Sequence, residues 1–137
     1  MQMFLTRILE AMTEGRLPLQ SCSYTEEVFG LLGKRWTGLI IDLLLQRPAR
    51  FSELHAALPA LSKRVLSERL TELQSVGLAA REVDPGPPIT ATYRLTERGR
   101  ALGPAMDALR VWAGAPVDDD GRPIPPDADA HRILDGH

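Results

Sequence analysis

Arg50 to Gly99 reads RFSELHAALPALSKRVLSERLTELQSVGLAAREVDPGPPITATYRLTERG. Its first half predicts two short helices. Phe51, Leu54 and Leu58 recur at spacings of three and four, and Leu66, Leu70 and Leu73 do the same, so each set marks one helix face. Pro59 cannot continue the first helix, which makes Leu58-Pro59-Ala60-Leu61 a tight connection. Ser62 is a good N-cap, because its hydroxyl can accept from an otherwise unpaired backbone N–H. Gly77 ends the second helix where a left-handed residue is needed. The second half predicts a hairpin. Its strands run roughly Ala79–Val83 and Ala91–Leu95, and Val83, Thr90, Thr92 and Tyr93 are residues that suit strands. Asp84-Pro85-Gly86-Pro87-Pro88 between them must be loop. Helix, turn, helix and hairpin in that order describe a winged helix-turn-helix, a shape used mainly to place one helix in the major groove of DNA.

The second helix carries the chemistry. At about 100° per residue, Arg64, Glu68, Thr71 and Ser75 lie opposite its leucine stripe, with Lys63 and Ser67 to one side. The basic residues fall in the first turn, where the helix dipole also favours phosphate. Recognition helices contact bases mostly from that end, and arginine can bond two acceptors on guanine. Taken alone, such a face is equally the solvated side of a surface helix. With the turn and wing attached it reads as DNA-binding. The expected contacts are Arg50, Ser52, Ser62, Lys63, Arg64, Ser67, Arg69 and Thr71, with Arg94 on the wing.

Composition agrees. The 137 residues suit one domain, and 44% hydrophobic residues suffice for a core. The net charge of −2 is unevenly placed. Residues 22–114 hold 12 Lys or Arg against 10 Asp or Glu, whereas residues 115–137 hold 2 against 6. The acidity is thus in the tail, and Arg47, Arg50, Lys63, Arg64 and Arg69 gather around the helix-turn-helix. Three segments are expected: an N-terminal helical arm at 1–21, the winged domain with a C-terminal helix at 22–114, and an acidic, proline-rich tail at 115–137 expected to be disordered.

The fold class is therefore mainly α with a small β-hairpin, a winged helix-turn-helix with terminal dimerisation helices. The middle helix, about Lys34–Leu45, reads as core through Trp36, Leu39, Ile40, Leu43 and Leu44. Leu5, Ile8, Leu9 and Met12 form a stripe ended by Gly15. Thr96 can cap a helix in which Leu102, Ala105, Met106, Leu109 and Trp112 share a face, kinked at Pro104. These stripes either cover the core or join two copies. Self-association is preferred, because reading a palindromic operator takes two copies.

Other classes are disfavoured. His131 and His137 sit in the tail, so His55 is the one histidine of the core region, and it is expected on the exposed side of a short helix. No nucleophile–base pairing, metal-ligand cluster or phosphate-cradling loop is visible, so no enzyme, metal or cofactor is implied. A winged module that binds another protein is the competing possibility, and it would carry exposed apolar residues on the recognition face. Residues 1–14 lack the apolar run of a signal peptide, and Leu39–Leu45 is short and broken by Asp42. A cytoplasmic protein without membrane segments is expected. A small-molecule effector is left open, with no pocket to assign.

The residues also resemble those of the HxlR family of bacterial winged-helix regulators. The likeness rests on Gly33-Lys34-Arg35-Trp36-Thr37, Arg50-Phe51-Ser52-Glu53-Leu54, Leu61-Ser62, Leu66-Ser67-Glu68-Arg69-Leu70, Gly77-Leu78, Tyr93-Arg94-Leu95-Thr96-Glu97-Arg98-Gly99 and Trp112. It spans about Cys22 to Ala113. Two departures are Arg35, which interrupts a commoner Gly-Lys-Trp spacing, and Ser23-Tyr24 in place of a frequent Cys-Pro start. The resemblance implies a homodimeric transcription regulator of double-stranded DNA whose interface is built by terminal helices. Cys22 sits where many members carry a cysteine, and in some members that implies a redox or electrophile switch. The physical motive here is a helix capped by Thr25, which would put Cys22 near unpaired N–H groups that favour the thiolate. Glu26 and Glu27 act in the opposite direction.

Overall fold

The computed structural model describes residues 2–13 and 15–124. The chain falls into two compact units, up to Arg35 and from Trp36 onward. The first holds α1 (Gln2–Thr13) and α2 (Ser23–Leu32). The α1 stripe expected from the sequence is present, with Leu5, Leu9 and Met12 exposed and Ile8 half-buried. Gly15 follows at φ +76 with its N–H on the Met12 carbonyl.

The second unit runs α3 (Thr37–Gln46), β1 (Ala49–Arg50), α4 (Phe51–Ala57), α5 (Lys63–Ser75), β2 (Ala79–Asp84), β3 (Thr90–Leu95), α6 (Glu97–Arg100) and α7 (Gly103–Trp112). The hairpin is extended by a third strand that the sequence did not announce. Sheet order is β1-β3-β2, all antiparallel, with Ala49 opposite Tyr93 and Arg50 opposite Thr92. Two residues make too short a run for an alternating pattern to be visible, and β1 exists only because β3 offers its free edge.

The core is Ile40, Ile41 and Leu44 of α3, Leu54 of α4, Leu61 in the turn, Leu66, Leu70 and Leu73 of α5, then Leu78, Ala79 and Leu95. Burying each large side chain stabilises the fold by roughly 1.5–3 kcal/mol relative to exposure. The α5 stripe is the one periodicity predicts. In α3 the inner face is rotated from the expected one. Ile41 is fully buried, while Leu39 is 50% exposed and Leu43 half-buried. The helix also starts later than Lys34, because Trp36 adopts φ +80 as its N-cap, a backbone that cannot continue a helix. An almost uniformly apolar helix leaves its phase undetermined by sequence.

Two further expectations change at the C-terminal side. The single helix kinked at Pro104 is instead two helices. Thr96 caps α6, and Pro104 stands in the first turn of α7, where its missing N–H has no partner to lose. The segment read as unstructured from residue 115 begins with order. Asp118 N–H donates to Arg122 O and Ile124 N–H to Pro116 O, and the Asp118 carboxylate accepts from the N–H groups of Asp120 and Arg122. The tail beyond 124, with His131 and His137, lies outside the described residues. Among the described residues no helix is long and apolar enough to cross a membrane, and no three His, Cys, Asp or Glu gather as metal ligands.

Candidate nucleic-acid interface

Helix α5 is held at both ends. At its start the Ser62 hydroxyl accepts from the Val65 N–H at 3.1 Å. At its end Gly77 takes φ +77, the Leu78 N–H reaches Leu73 O at 2.9 Å, and the Gly77 N–H reaches Gln74 O at 3.1 Å. That is a complete Schellman closure. The segment after β3 then grips the same end. Thr96 donates through Oγ1 to Gly77 O at 2.6 Å, and Arg98 donates to Val76 O at 2.8 Å. The Arg98 cation satisfies a terminal carbonyl and opposes the negative end of the helix dipole. The Tyr93–Gly99 motif is therefore the anchor that sets how α5 projects.

On the outward side of α5, Lys63, Arg64, Ser67, Glu68 and Thr71 are all exposed. Thr71 Oγ1 donates back to Ser67 O, which leaves its lone pairs outward. Ser62 is exposed as well, although its oxygen serves the cap. Arg69 departs from expectation. Its side chain is only 20% exposed and pairs with Glu72 at 3.1 Å, which removes it from the outward face.

Arg50 and Ser52 stand at the start of α4, both exposed. Strand β1 brings Arg50 opposite Thr92, so Arg50, Thr92, Glu82 and Arg94 share one face of the sheet. On that face Arg94 is paired with Glu82 diagonally across the hairpin. Arg81 lies on the opposite face, exposed, and was missed by the sequence reading although strand alternation would have separated it from Arg94. Glu53 organises the approach to α4. It accepts from the Arg47 guanidinium and from the Arg50 N–H at 3.0 Å. These bonds, the Arg47 one first, hold its carboxyl down at about 2.

Cys22, in the other unit, is exposed and is itself the N-cap of α2. Thr25 is thus inside the first turn and does not cap the helix, and the helix starts three residues earlier than expected. The sulfur makes no formed capping bond. The backbone N–H of Thr25, then its hydroxyl and the Tyr24 N–H, hold the thiol below its ordinary value against a small opposing effect of burial.

The apolar residues of α7 are unevenly covered. Leu102 and Met106 are half-buried, whereas Leu109 is 53% and Trp112 87% exposed. Arg110 ties α7 to α3 through Asp42 at 2.7 Å. Beside that pair a cleft of about 420 Å³ is lined by Leu45, Gly103, Asp107 and Ile124 among others.

Comparison with known proteins gives one consistent picture. The family model described as HxlR-like helix-turn-helix matches residues 31–120. The HTH-type transcriptional regulator YvaP of Bacillus subtilis is 44% identical over 99 residues, covering 72% of this chain and 92% of that protein. YodB of the same organism is 42% identical over 92 residues, covering 67% and 82%. The reduced form of YodB superposes with a TM-score of 0.63 at 41% identity, covering 69% of this chain and 92% of that one. YodB has also been solved diamide-treated and quinone-bound, each with a TM-score of 0.60. The redox regulator HypR in its oxidised form gives 0.62 at 30% identity, covering 69% and 97%. With its winged fold, its anchored α5 and a match over residues 31–120, the chain belongs to the HxlR-like helix-turn-helix family, whose members are transcription regulators and not enzymes.

Proposed function

We propose that the protein is a cytoplasmic, homodimeric regulator that sets α5 into the major groove of a palindromic operator and lays the β2–β3 wing on the flanking backbone or minor groove. The observation that carries this is the outward face of α5, with Lys63, Arg64 and Ser67 exposed at its N-terminal end. A protein-binding module would need an apolar face there, and Lys63, Arg64, Ser67, Glu68 and Thr71 occupy it instead. The exposed apolar residues of α1 (Leu5, Leu9, Met12) and of α7 (Leu109, Trp112), with Ile8, Leu102 and Met106 beside them, support a second copy as their cover.

A titration against the DNA upstream of the chain's own coding region tests this reading. Affinity should fall linearly in log salt, and a flat response removes DNA binding. Arg64→Ala should cost about 1–3 kcal/mol on the preferred site and relax one base position. Arg94→Ala, on the wing, should weaken all sequences about equally. The stoichiometry should be two chains per operator, and one chain per operator overturns the dimer.

Relatives solved in diamide-treated, quinone-bound and oxidised forms support a second layer, in which Cys22 is the sensing thiol. Its lowered pKa raises the fraction present as the nucleophilic thiolate. With one cysteine per chain, the products are a quinone adduct, a mixed disulfide or a bond between protomers. Diamide or a quinone should change the DNA affinity of the wild type and leave Cys22→Ser unaffected. Equal responses would show that Cys22 is structural only.

A further inference from the structure

We propose that Glu68 is a specificity residue of α5, accepting a hydrogen bond from the N4 amino group of a cytosine within about two base steps of the guanine that Arg64 reads. This rests on the major-groove reading of α5 given above.

The starting observation is how the carboxylates around the interface are used. Glu53 is closed on Arg47, Glu72 on Arg69 and Glu82 on Arg94. Each of these pairs removes a negative charge from the surface that would face phosphate. Glu68, on the outward face of α5, has no such partner among the described residues. It is exposed in the second turn of α5, and among the described residues its side chain makes no ion pair and no hydrogen bond. Arg64, four residues earlier on the same face, is exposed and equally unengaged. The two are spaced for an intrahelical pair, but with the cation preceding the acid the orientation is the weaker one. Both groups therefore point outward, ready for something else.

An unpaired carboxylate in the middle of this face is a penalty for generic DNA. It meets phosphates with like charge, and the acceptor edges of guanine and thymine with lone pairs. The penalty is lifted where a base presents a donor. Cytosine offers its N4 amino group in the major groove without a neighbouring N7. Adenine also offers an amino group, but beside an N7 acceptor that repels a second carboxylate oxygen. Cytosine is thus the matching partner. Residues four apart on a helix are about 5–6 Å apart at Cβ, and base pairs are spaced about 3.4 Å apart along each strand. The cytosine and the guanine should then lie within about two base steps of each other.

The experiment is enrichment of bound sequences from a random duplex pool, with wild type, Arg64→Ala, Glu68→Ala and Glu68→Gln run in parallel, followed by affinities on the enriched and on scrambled duplexes. All these side chains are exposed, so the variants should fold as the wild type does. The wild type should enrich guanine and cytosine at nearby positions. Glu68→Ala should lose the cytosine preference by about tenfold, keep the guanine, and bind scrambled duplexes more tightly. Glu68→Gln should replace cytosine by adenine, since an amide matches the adenine donor and acceptor together. If Glu68→Ala tightens every sequence equally while the cytosine preference stays, Glu68 acts only as a charge and the proposal is overturned. The same holds if neither Glu68 variant changes anything while Arg64→Ala still loses the guanine. If the wild type enriches no sequence, or Arg64→Ala changes no position, the major-groove reading of α5 itself has failed.

Discussion

Gly99→Ala should destabilise the winged unit by about 3 kcal/mol, as overpacking against atoms that cannot yield does. A Cβ at this position would sit 2.2 Å from the Leu78 carbonyl oxygen and 3.1 Å from both the Leu78 carbonyl carbon and the Leu95 Cβ. The oxygen is backbone, and it already accepts from the Thr96 N–H at 2.9 Å. Moving it breaks the junction where α6 seals the end of α5. The requirement is one of space, since Gly99 does not have a positive φ. Urea denaturation of the two proteins measures the difference. Gly38→Ala is the control, because nothing lies within 4 Å of its Cβ position in α3, and it should be neutral or gain up to about 1 kcal/mol. Equal stability of wild type and Gly99→Ala would show that α6 does not press on the Leu78 backbone as described.

Ile41→Ala should cost about 2–5 kcal/mol, the range for emptying a buried aliphatic site. Leu39→Ala, on the half-exposed side of the same helix, should cost under about 1 kcal/mol. Both residues lie in the run Leu39-Ile40-Ile41, and periodicity picks Leu39 for the core, whereas the fold buries Ile41 completely. Thermal unfolding of the two variants decides between these phases. A larger loss from Leu39→Ala would reverse the assignment of the α3 inner face.

The two positions show where sequence reading stops. A helix with a clean polar side reports its own orientation, and α5 does so through Leu66, Leu70 and Leu73 against Lys63, Arg64 and Ser67. A helix as apolar as α3 does not, because almost any phase buries something hydrophobic. The same holds for glycine. Gly77 was legible because a helix end calls for a left-handed residue, and it stands at φ +77. Gly99 was visible only as a letter in a motif, since the atom that excludes a Cβ there belongs to Leu78, which is distant in sequence.

By itself the sequence determined the helix-turn-helix, the limits of α5, the hairpin and the outward basic turn. Each depends on spacings of two to four residues, on a cap or on a proline, and such interactions are local. Only the tertiary structure decided which charges remain available. The Arg69–Glu72 pair is local, but Arg94–Glu82 needs the hairpin register, and Arg47–Glu53 needs the chain to turn into α4. It also decided the third strand and the grip of Thr96 and Arg98 on the end of α5, bonds between residues 19 and 22 apart. Their partners are chosen by packing and strand register, which the order of residues along one element does not encode.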